Sequence, residues 1–327
     1  MLFLNQREVE TLLDLDRLVE ALGPAMADLS AGRVSMPPRV FVQVREWGGW
    51  LGAMPAFLPS PQILETKLVS VFPENVVRGL PSHQALILVF DPQTGSPRAL
   101  MDGTAITATR TAAGSALATR LLARPEARVL AIMGTGVQAR THARAIPRVR
   151  AIEEIRVAGR DRGRALALAD EIRRELGIPT KAFGLGRDAI AGADIICATT
   201  HSAEPVIKGE WLEPGAHVNS VGLSGNGGEL DGEAVRRALV VVETRAAALV
   251  PAPSGSGELR CAIRDGLIVE DHMAEIGELI SGARPGRTSP DQITLYKSVG
   301  VAVQDAVAAH LVLEAAERQG MGREVAM

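Results

Sequence analysis

The feature that most constrains the fold is a glycine turn between an apolar run and a helical segment. Residues 128–133 read RVLAIM and are followed by GTGVQA. Gly134 permits a tight turn, Gly136 lets the backbone approach a pyrophosphate, and Ala139 allows a helix to pack closely on the strand. A second β-rich run at 154–159 completes the context that a lone glycine motif lacks, which favours dinucleotide binding over a purely structural turn. The predicted contacts are Gly134, Thr135, Gly136, Val137, Gln138 and Ala139.

The end of the second run bears on which dinucleotide is bound. An acidic residue there would bond the ribose 2′-hydroxyl and repel a 2′-phosphate. Here Gly159 is followed by Arg160, Asp161 and Arg162, and two guanidinium groups can pair with a phosphate. NADPH is therefore the favoured cofactor. If the arginines are only solvated loop charges and Asp161 takes the ribose, NADH replaces it.

Beyond Asp102 the chain alternates between strand and helix patterns. A run of small residues at 104–123 predicts a closely packed helix, and further helices separate most of the β-rich runs. Predicted strands are 128–133, 154–159, 193–200, 217–222 and 239–244. This alternation predicts an α/β fold with a Rossmann-type, doubly wound parallel sheet, which we assign to residues 113–301. Residues 291–319 are predicted to be one helix that returns to the first domain.

The N-terminal third has a different pattern. Apolar residues recur at helical spacing from Arg7 to about Ala31, and short β-rich runs separated by turn residues occupy 39–100. Residues 85–103 predict a hairpin that turns at DPQTGS. These patterns predict an α+β substrate and dimerisation domain with a largely antiparallel sheet, formed by residues 1–112 and 302–327.

Composition excludes several classes of function. The formal charge is −3 and aromatic residues make up 3% of the chain, so neither nucleic acid nor an anionic membrane is an expected partner. Charges throughout the first twenty residues argue against a signal peptide, and we expect a cytoplasmic protein. Cys197 and Cys261 are far apart and are predicted to be buried apolar residues. No metal site is predicted.

Three cations stand in apolar or small-residue surroundings: Arg39 in MPPRV, Lys67 in ETKLVSVF and Arg110 in ITATRTAAG. Cations are seldom buried without a partner. Each one alone fits a structural salt bridge as well as a ligand. Together they suit a pocket for a small carboxylate, because a guanidinium can bind both of its oxygens.

Other candidates carry weaker signals. His83 follows a turn and is either a structural histidine or part of the pocket, and Met54 is either strand core or a contact. Lys297 is predicted to start the last helix. It lies either near the nicotinamide or at the surface, with its charge in solvent. The remaining histidines show no spacing typical of a metal site or a triad.

Taken together, these segments resemble the ornithine cyclodeaminase/mu-crystallin family over essentially the whole chain. The matching pieces are MPPR, GAMPAF, TKLVSVFPEN, GLPSHQALILVFDPQTG, MDGTAITATRTAAGSALA, GTGVQA, ICATT, GGELDG and ITLYKSVGVAVQDAVAA. The resemblance implies a homodimer joined through the antiparallel domain, a nicotinamide cofactor and an α-imino or α-amino acid substrate. It makes Arg39, Lys67 and Arg110 the substrate binders. It places Gly134 to Ala139, Arg160, Thr199, Val221 and Lys297 along the cofactor.

One departure from the family affects the mechanism. Members that deaminate ornithine carry an aspartate that handles the amine proton, and here Ser224 or Leu223 stands in its place, depending on the direction of counting. Without that base, oxidation of an amino acid is less favoured than reduction of an existing imine. A serine here is similar to the mu-crystallin and ketimine reductase branch, so Ser224 becomes a candidate proton relay.

The sequence therefore predicts NADPH-dependent reduction of a cyclic ketimine, such as pyrroline-2-carboxylate or piperideine-2-carboxylate, to L-proline or L-pipecolate. The cofactor would supply the difficult chemistry, and Lys67 and Arg110 would orient the substrate. Three alternatives stay open. They are a cyclodeaminase or alanine dehydrogenase, a protein that binds NADPH and a small ligand without turnover, and a reductase of a larger or linear imine.

Overall fold

A computed structural model describes residues 1–222 and 227–326. The chain divides into two compact units. The first contains Met1–Arg110 and Val301–Met327, and the second contains Thr111–Gly300. No helix in the described part is both long enough and apolar enough to cross a membrane.

The elements are numbered in chain order. The strands are β1 Leu2–Leu4, β2 Val40–Val44, β3 Gly49–Leu58, β4 Ile63–Val71, β5 His83–Phe90, β6 Pro97–Asp102, β7 Val129–Met133, β8 Glu154–Ala158, β9 Thr180–Phe183, β10 Ile195–Ala198, β11 His217–Ser220, β12 Ala238–Val242, β13 Ala274–Glu275, β14 Ile293–Lys297 and β15 Arg323–Glu324. The helices are α1 Gln6–Leu12, α2 Leu15–Ser30, α3 Gly103–Leu122, α4 Val137–Ala145, α5 Arg162–Leu176, α6 Gly186–Ile190, α7 Gly232–Arg237, α8 Arg245–Ala248, α9 Gly257–Arg264, α10 Ile276–Ile280 and α11 Ala302–Gln319.

The first unit is built on a sheet in the order β15-β1-β6-β5-β4-β3-β2, in which only the β1–β6 pair is parallel. The largely antiparallel sheet is thus confirmed, as is the hairpin of β5 and β6. Along β4, buried and half-buried residues alternate, which is the period of a strand with one face on the core. Helix α11 packs on β3, β4 and α2, so the inner face of β4 points into a closed core.

The second unit contains eight parallel strands in the order β13-β12-β14-β11-β10-β7-β8-β9. The strand order reverses beside β7, where the chain runs to β8 on one side and β10 lies on the other. Ligands of such sheets bind outside the carboxyl ends of the strands at this reversal. The predicted doubly wound sheet is confirmed, and the glycine turn follows the strand at its switch point.

Two local predictions are wrong. Residues 291–319 are not one helix, because Ile293–Lys297 forms a strand between β11 and β12, and the helix begins at Ala302. All five strand residues are buried, and a short strand buried on both faces has no polar alternation to distinguish it from a helix. Cys261 is only half-buried, whereas Cys197 is buried as predicted.

Candidate active site

A buried cluster of charges lies in the first unit, where β4, α3 and α11 contribute one charged side chain each. Lys67 donates to Oδ2 of Asp305 at 2.6 Å, and Nε of Arg110 donates to Oδ1 at 2.9 Å. Arg110 also donates to Oε1 of Gln304 at 3.0 Å. Exposure is 1% for Lys67, 5% for Arg110 and 0% for Asp305. The structure thus brings two of the three predicted cations together on one carboxylate.

The cluster carries more positive than negative charge around Asp305. Burial would raise the pKa of Asp305, but the charges of Arg110 and Lys67 outweigh it and lower that pKa below its usual range. Burial lowers the pKa of Lys67 to about 8, with Asp305 opposing the shift and Arg110 adding to it. Two cations share one ionised acid, so one positive charge is left in excess, as a site for an anionic ligand requires.

Sequence reasoning missed Asp305, which lies 195 residues from Arg110 and 238 from Lys67. Its signal was a single acid within the mostly apolar run AVQDAVAAHLVL. A buried acid in such a helix needs a partner, but the sequence gives no information on which cation reaches it.

The other predicted substrate contacts surround this cluster to different extents. Arg39 immediately precedes β2, and its charge is close enough to lower the pKa of Lys67 further. Met54 is 4% exposed and lies opposite Lys67 in the β3–β4 register. His83 begins β5, opposite Val71 at the far end of β4. Their contact with a substrate stays a prediction.

The glycine turn in the second unit has the geometry of a phosphate cradle. Gly134 adopts a φ of 124°, and a Cβ there would lie 2.7 Å from Oγ1 of Thr199. Thr199 is itself held by two hydrogen bonds of 2.9 Å to the carbonyl of Met133. Gly136 caps α4 with no side-chain hydrogen bond, and space around its Cβ position is open. The first N–H groups of α4 therefore suit an anion.

The segment after β8 fits the ribose end of a dinucleotide. A Cβ at Gly159 would lie 2.7 Å from Cγ2 of Thr135, so a larger residue would displace that side chain beside the turn. Arg160 and Arg162 are exposed. Asp161 caps α5 by accepting from the backbone N–H of Arg164, and it lies 3.7 Å from the guanidinium of that residue. Its carboxylate thus already has bonding partners within the protein.

Lys297 has a different setting from the one the sequence suggested. It ends β14, is fully buried, and donates to Oγ of Ser220 at 3.0 Å and to the carbonyl of Gly222 at 2.6 Å. Its ion pair with Glu258 measures 3.0 Å. The amine therefore holds the end of β11 and the backbone that follows it. Val221 is half-buried within this segment. Ser224 lies outside the described residues.

Two further residues escaped sequence reasoning. Glu229 accepts from the backbone N–H of Thr200 and of Gly222 and from Oγ of Ser220, so it joins the segments that follow β10 and β11. His142 is buried on α4, donates through Nδ1 to the carbonyl of Gln138 and accepts through Nε2 from Ser115. Burial lowers its pKa to about 4, so it is a neutral anchor for the helix of the glycine turn.

In the described part of the chain, no group of three or more histidine, cysteine or acidic side chains is arranged so that it could hold a metal ion. What the arrangement offers is a cationic cluster in the first unit and a phosphate cradle in the second. These are the parts that a nicotinamide-dependent enzyme for a small anionic substrate needs.

Comparison with known proteins identifies the family of this chain. Residues 1–320 match the model of the ornithine cyclodeaminase/mu-crystallin family. The chain is 40% identical over 317 residues to ketimine reductase mu-crystallin of Mus musculus, covering 95% of this chain and 96% of that protein. It is similar to Delta(1)-pyrroline-2-carboxylate reductase of Thermococcus litoralis in complex with NADH and L-proline, with 39% identity and a TM-score of 0.94 over 99% of this chain and 100% of the other. It is also similar to an archaeal alanine dehydrogenase dimer with bound NAD, with 34% identity and a TM-score of 0.92 over 100% and 99% of the two chains. The chain therefore belongs to the ornithine cyclodeaminase/mu-crystallin family.

Proposed function

We propose that this protein uses NADPH or NADH to reduce a small cyclic ketimine carboxylate, pyrroline-2-carboxylate or piperideine-2-carboxylate, to L-proline or L-pipecolate. The observation that carries the proposal is the buried cluster in which Lys67 and Arg110 share Asp305 and keep one positive charge in excess. The two most similar relatives described above are named for reduction of ketimines and of pyrroline-2-carboxylate.

The cluster recognises the substrate carboxylate. Asp305 holds both cations in place, because one of its oxygens accepts from Lys67 and the other from Arg110. Pre-positioned cations lose little side-chain freedom when the ligand arrives, which favours binding. Arg39, with its charge close to that of Lys67, adds to the attraction. A buried charge-assisted hydrogen bond of this kind contributes about 1.5–3 kcal/mol.

The second unit binds the cofactor through the turn Gly134 to Ala139 and the N-terminus of α4. When bound, the nicotinamide supplies the hydride that reduces the C=N bond. Because Asp161 is engaged in capping α5 while Arg160 and Arg162 are exposed, the segment suits a 2′-phosphate, and NADPH is the preferred form.

Lys67 also has the chemistry for proton transfer. Its pKa of about 8 means that the ammonium can hold or release a proton close to neutral pH, as an acid or base catalyst needs. We assign it to keep the imine nitrogen protonated during reduction. Arg110 supplies orientation alone, through its planar guanidinium group.

The direct experiment follows the absorbance of NADPH and NADH with pyrroline-2-carboxylate and with piperideine-2-carboxylate. We expect consumption of the cofactor that depends on the imine, with L-proline or L-pipecolate as product. Tight binding of NADPH without consumption by either imine would replace this proposal with a binding role.

Alanine dehydrogenation is the second candidate, because the chain is similar to an archaeal alanine dehydrogenase over its whole length. Pyruvate with ammonia tests it in the reductive direction and L-alanine in the oxidative direction. Faster turnover of these compounds than of the cyclic imines would make this the function.

The assembly we propose is a homodimer in the cytoplasm, where reduced cofactor is available. The face of the antiparallel sheet opposite the cluster exposes Val40, Val42, Leu51 and Leu86. A contiguous exposed apolar face marks a protein interface. Sedimentation velocity measures the assembly, and a monomer at micromolar concentration contradicts it.

A further inference from the structure

Glu65 is a buried acid beside the cluster, and it has no part in the carboxylate binding or proton transfer proposed above. It is 1% exposed and faces the same side of β4 as Lys67, two residues away. Directly opposite it in the register lie Ala56 on β3 and Val89 on β5, both buried. A carboxyl group has therefore been placed on the apolar inner face of the sheet.

Neither oxygen of Glu65 has a hydrogen-bond partner among the residues that the structure describes. Lys67 lies on the same face but donates to Asp305 instead, and Asp305 also takes Arg110. A carboxylate without a partner in such surroundings costs several kcal/mol, whereas a neutral carboxylic acid costs far less. The geometry therefore favours the protonated form.

The charges around Glu65 act in the same direction. Burial, followed by the negative charge of Asp305, raises the pKa of Glu65 well above its usual value, and Lys67 opposes the shift only in part. The charged groups that face it are Lys67 on its own strand, Asp305 on α11 and, beyond them, Arg110 on α3 and Arg39 before β2. The neighbours on β3 and β5 are apolar.

We propose that Glu65 is a positioning residue that stays protonated in the working enzyme and so preserves the positive excess of the Lys67–Arg110–Asp305 cluster for a carboxylate ligand. If Glu65 were ionised, its charge would cancel that excess. Loss of the proton of Glu65 therefore adds to the effect of deprotonating Lys67 in weakening anion binding at high pH. The inference rests on the carboxylate site of the proposed function, but it can be tested without turnover.

The test measures the Kd of cyclopentanecarboxylate by calorimetry from pH 7 to pH 10. This anion has the ring size of proline but no nitrogen, so only the protein titrates in this range. In the wild type Glu65 and Lys67 titrate as a coupled pair. Each proton lost lowers the net charge of the cluster by one, so the Kd rises steeply with pH. In Glu65→Gln only Lys67 can titrate, and the rise between pH 7 and pH 10 should be about tenfold smaller.

Two matched variants separate this role from a merely structural one. Glu65→Asp restores a titratable group and should bring back the steeper rise. Glu317→Gln removes an exposed acid from α11 that pairs with Arg98 at the surface, and its profile should match that of the wild type. An infrared titration provides a second readout, because the C=O stretch of a protonated carboxylic acid should be present near neutral pH and lost in Glu65→Gln.

The outcomes separate the two proposals. Equal pH profiles for wild type and Glu65→Gln, or no protonated-acid band assignable to Glu65, would overturn the role of Glu65 even if imines are reduced. No binding of the anion at any pH would also overturn it, because the cluster would then not be a carboxylate site. A difference in the profiles without imine turnover would uphold Glu65 and refute the reductase.

Discussion

Lys67 in the first unit and Lys297 in the second are both almost fully buried, yet their surroundings differ. Lys297 has three partners within 3.0 Å, namely Ser220, Gly222 and Glu258. Among the described residues, Lys67 has one short bond, to Asp305, and a long contact of 3.5 Å with Thr107. An ammonium group has three donors. A complete set of partners marks a lysine that holds the fold, and an incomplete set marks one that can accept a ligand.

The two lysines also differ in the charges that surround them. Lys67 shares its acid with Arg110, so the first unit keeps a positive excess. Lys297 pairs with Glu258, and Glu229 lies in the same network. With Glu65 protonated, the excess of one cation is left for an anion from outside, whereas Lys297 has its ion-pair partner within the protein.

The largest effect on stability should come from replacing Lys297, the lysine with the complete set of partners. Lys297→Met leaves Glu258 buried without its cation, and removal of one partner of a buried ion pair costs about 3–5 kcal/mol. We expect the free energy of unfolding, measured with urea, to fall by that amount, or the protein to be recovered unfolded. Lys181→Met, at an exposed pair with Glu154, is the control and should stay within about 0.5 kcal/mol. A stable Lys297→Met protein would show that the partners of Lys297 do not hold the fold.

Lys67→Met should lose less stability and more activity. Asp305 keeps its bond to Arg110, so the loss of stability should be smaller than in Lys297→Met. Carboxylate binding loses a charge-assisted bond, and kcat/KM for the imine should fall by about tenfold to a thousandfold. Steady-state kinetics and urea unfolding of the same preparations measure both quantities. If Lys67→Met had wild-type kinetics, the incomplete set of partners around Lys67 would not mark a ligand site.

The pH dependence of substrate binding should follow the protonation of Lys67. The pKa of Lys67 is lowered to about 8, so the ammonium is charged below that pH and neutral above it. The KM for the imine should therefore rise as the pH passes from 7 to 9, approaching tenfold per pH unit. Lys67→Arg keeps its charge in this range and should show a smaller rise. A rise of the same size and midpoint in both proteins would assign the titration to another group.

The smallest effect concerns an exposed cation of the second unit. Arg160→Ala should raise the KM for NADPH by about tenfold and leave the KM for NADH nearly unchanged, because only the former has a 2′-phosphate. Arg173→Ala, which removes an exposed partner of Asp170 on α5, is the control. An equal change for both cofactors would contradict the proposed preference for NADPH.

Much of the second unit could be predicted from local patterns. The glycine turn after β7 and the apolar runs of β8, β10, β11 and β12 each have short-range signals, and parallel alternation limits the topology. The strand Ile293–Lys297 could not be recognised, because burial on both faces removes the alternation that identifies a strand.

The cluster could be predicted only in part. Lys67 and Arg110 stood out as cations in apolar surroundings, but Asp305 joins them from the other end of the chain. Glu65 had a readable signal, since it alternates with Ile63, Lys67 and Val69 on the inner face of β4. The protonation of Glu65 could not be predicted from the sequence, because it depends on whether a hydrogen-bond donor reaches its carboxyl group in the folded chain.

To test whether Lys67 binds the substrate carboxylate, the carboxylate is removed from the substrate and the cation from the protein, separately and together. Rates of NADPH consumption are compared for pyrroline-2-carboxylate and for 1-pyrroline, which lacks the carboxylate, with wild type and with Lys67→Met. If Lys67 binds the carboxylate, each change alone should lower kcat/KM by about tenfold or more. The two together should cost less than their product, because without the carboxylate only the proton role of Lys67 is left to lose. Losses that simply multiply would contradict the account, because the carboxylate would then be bound elsewhere.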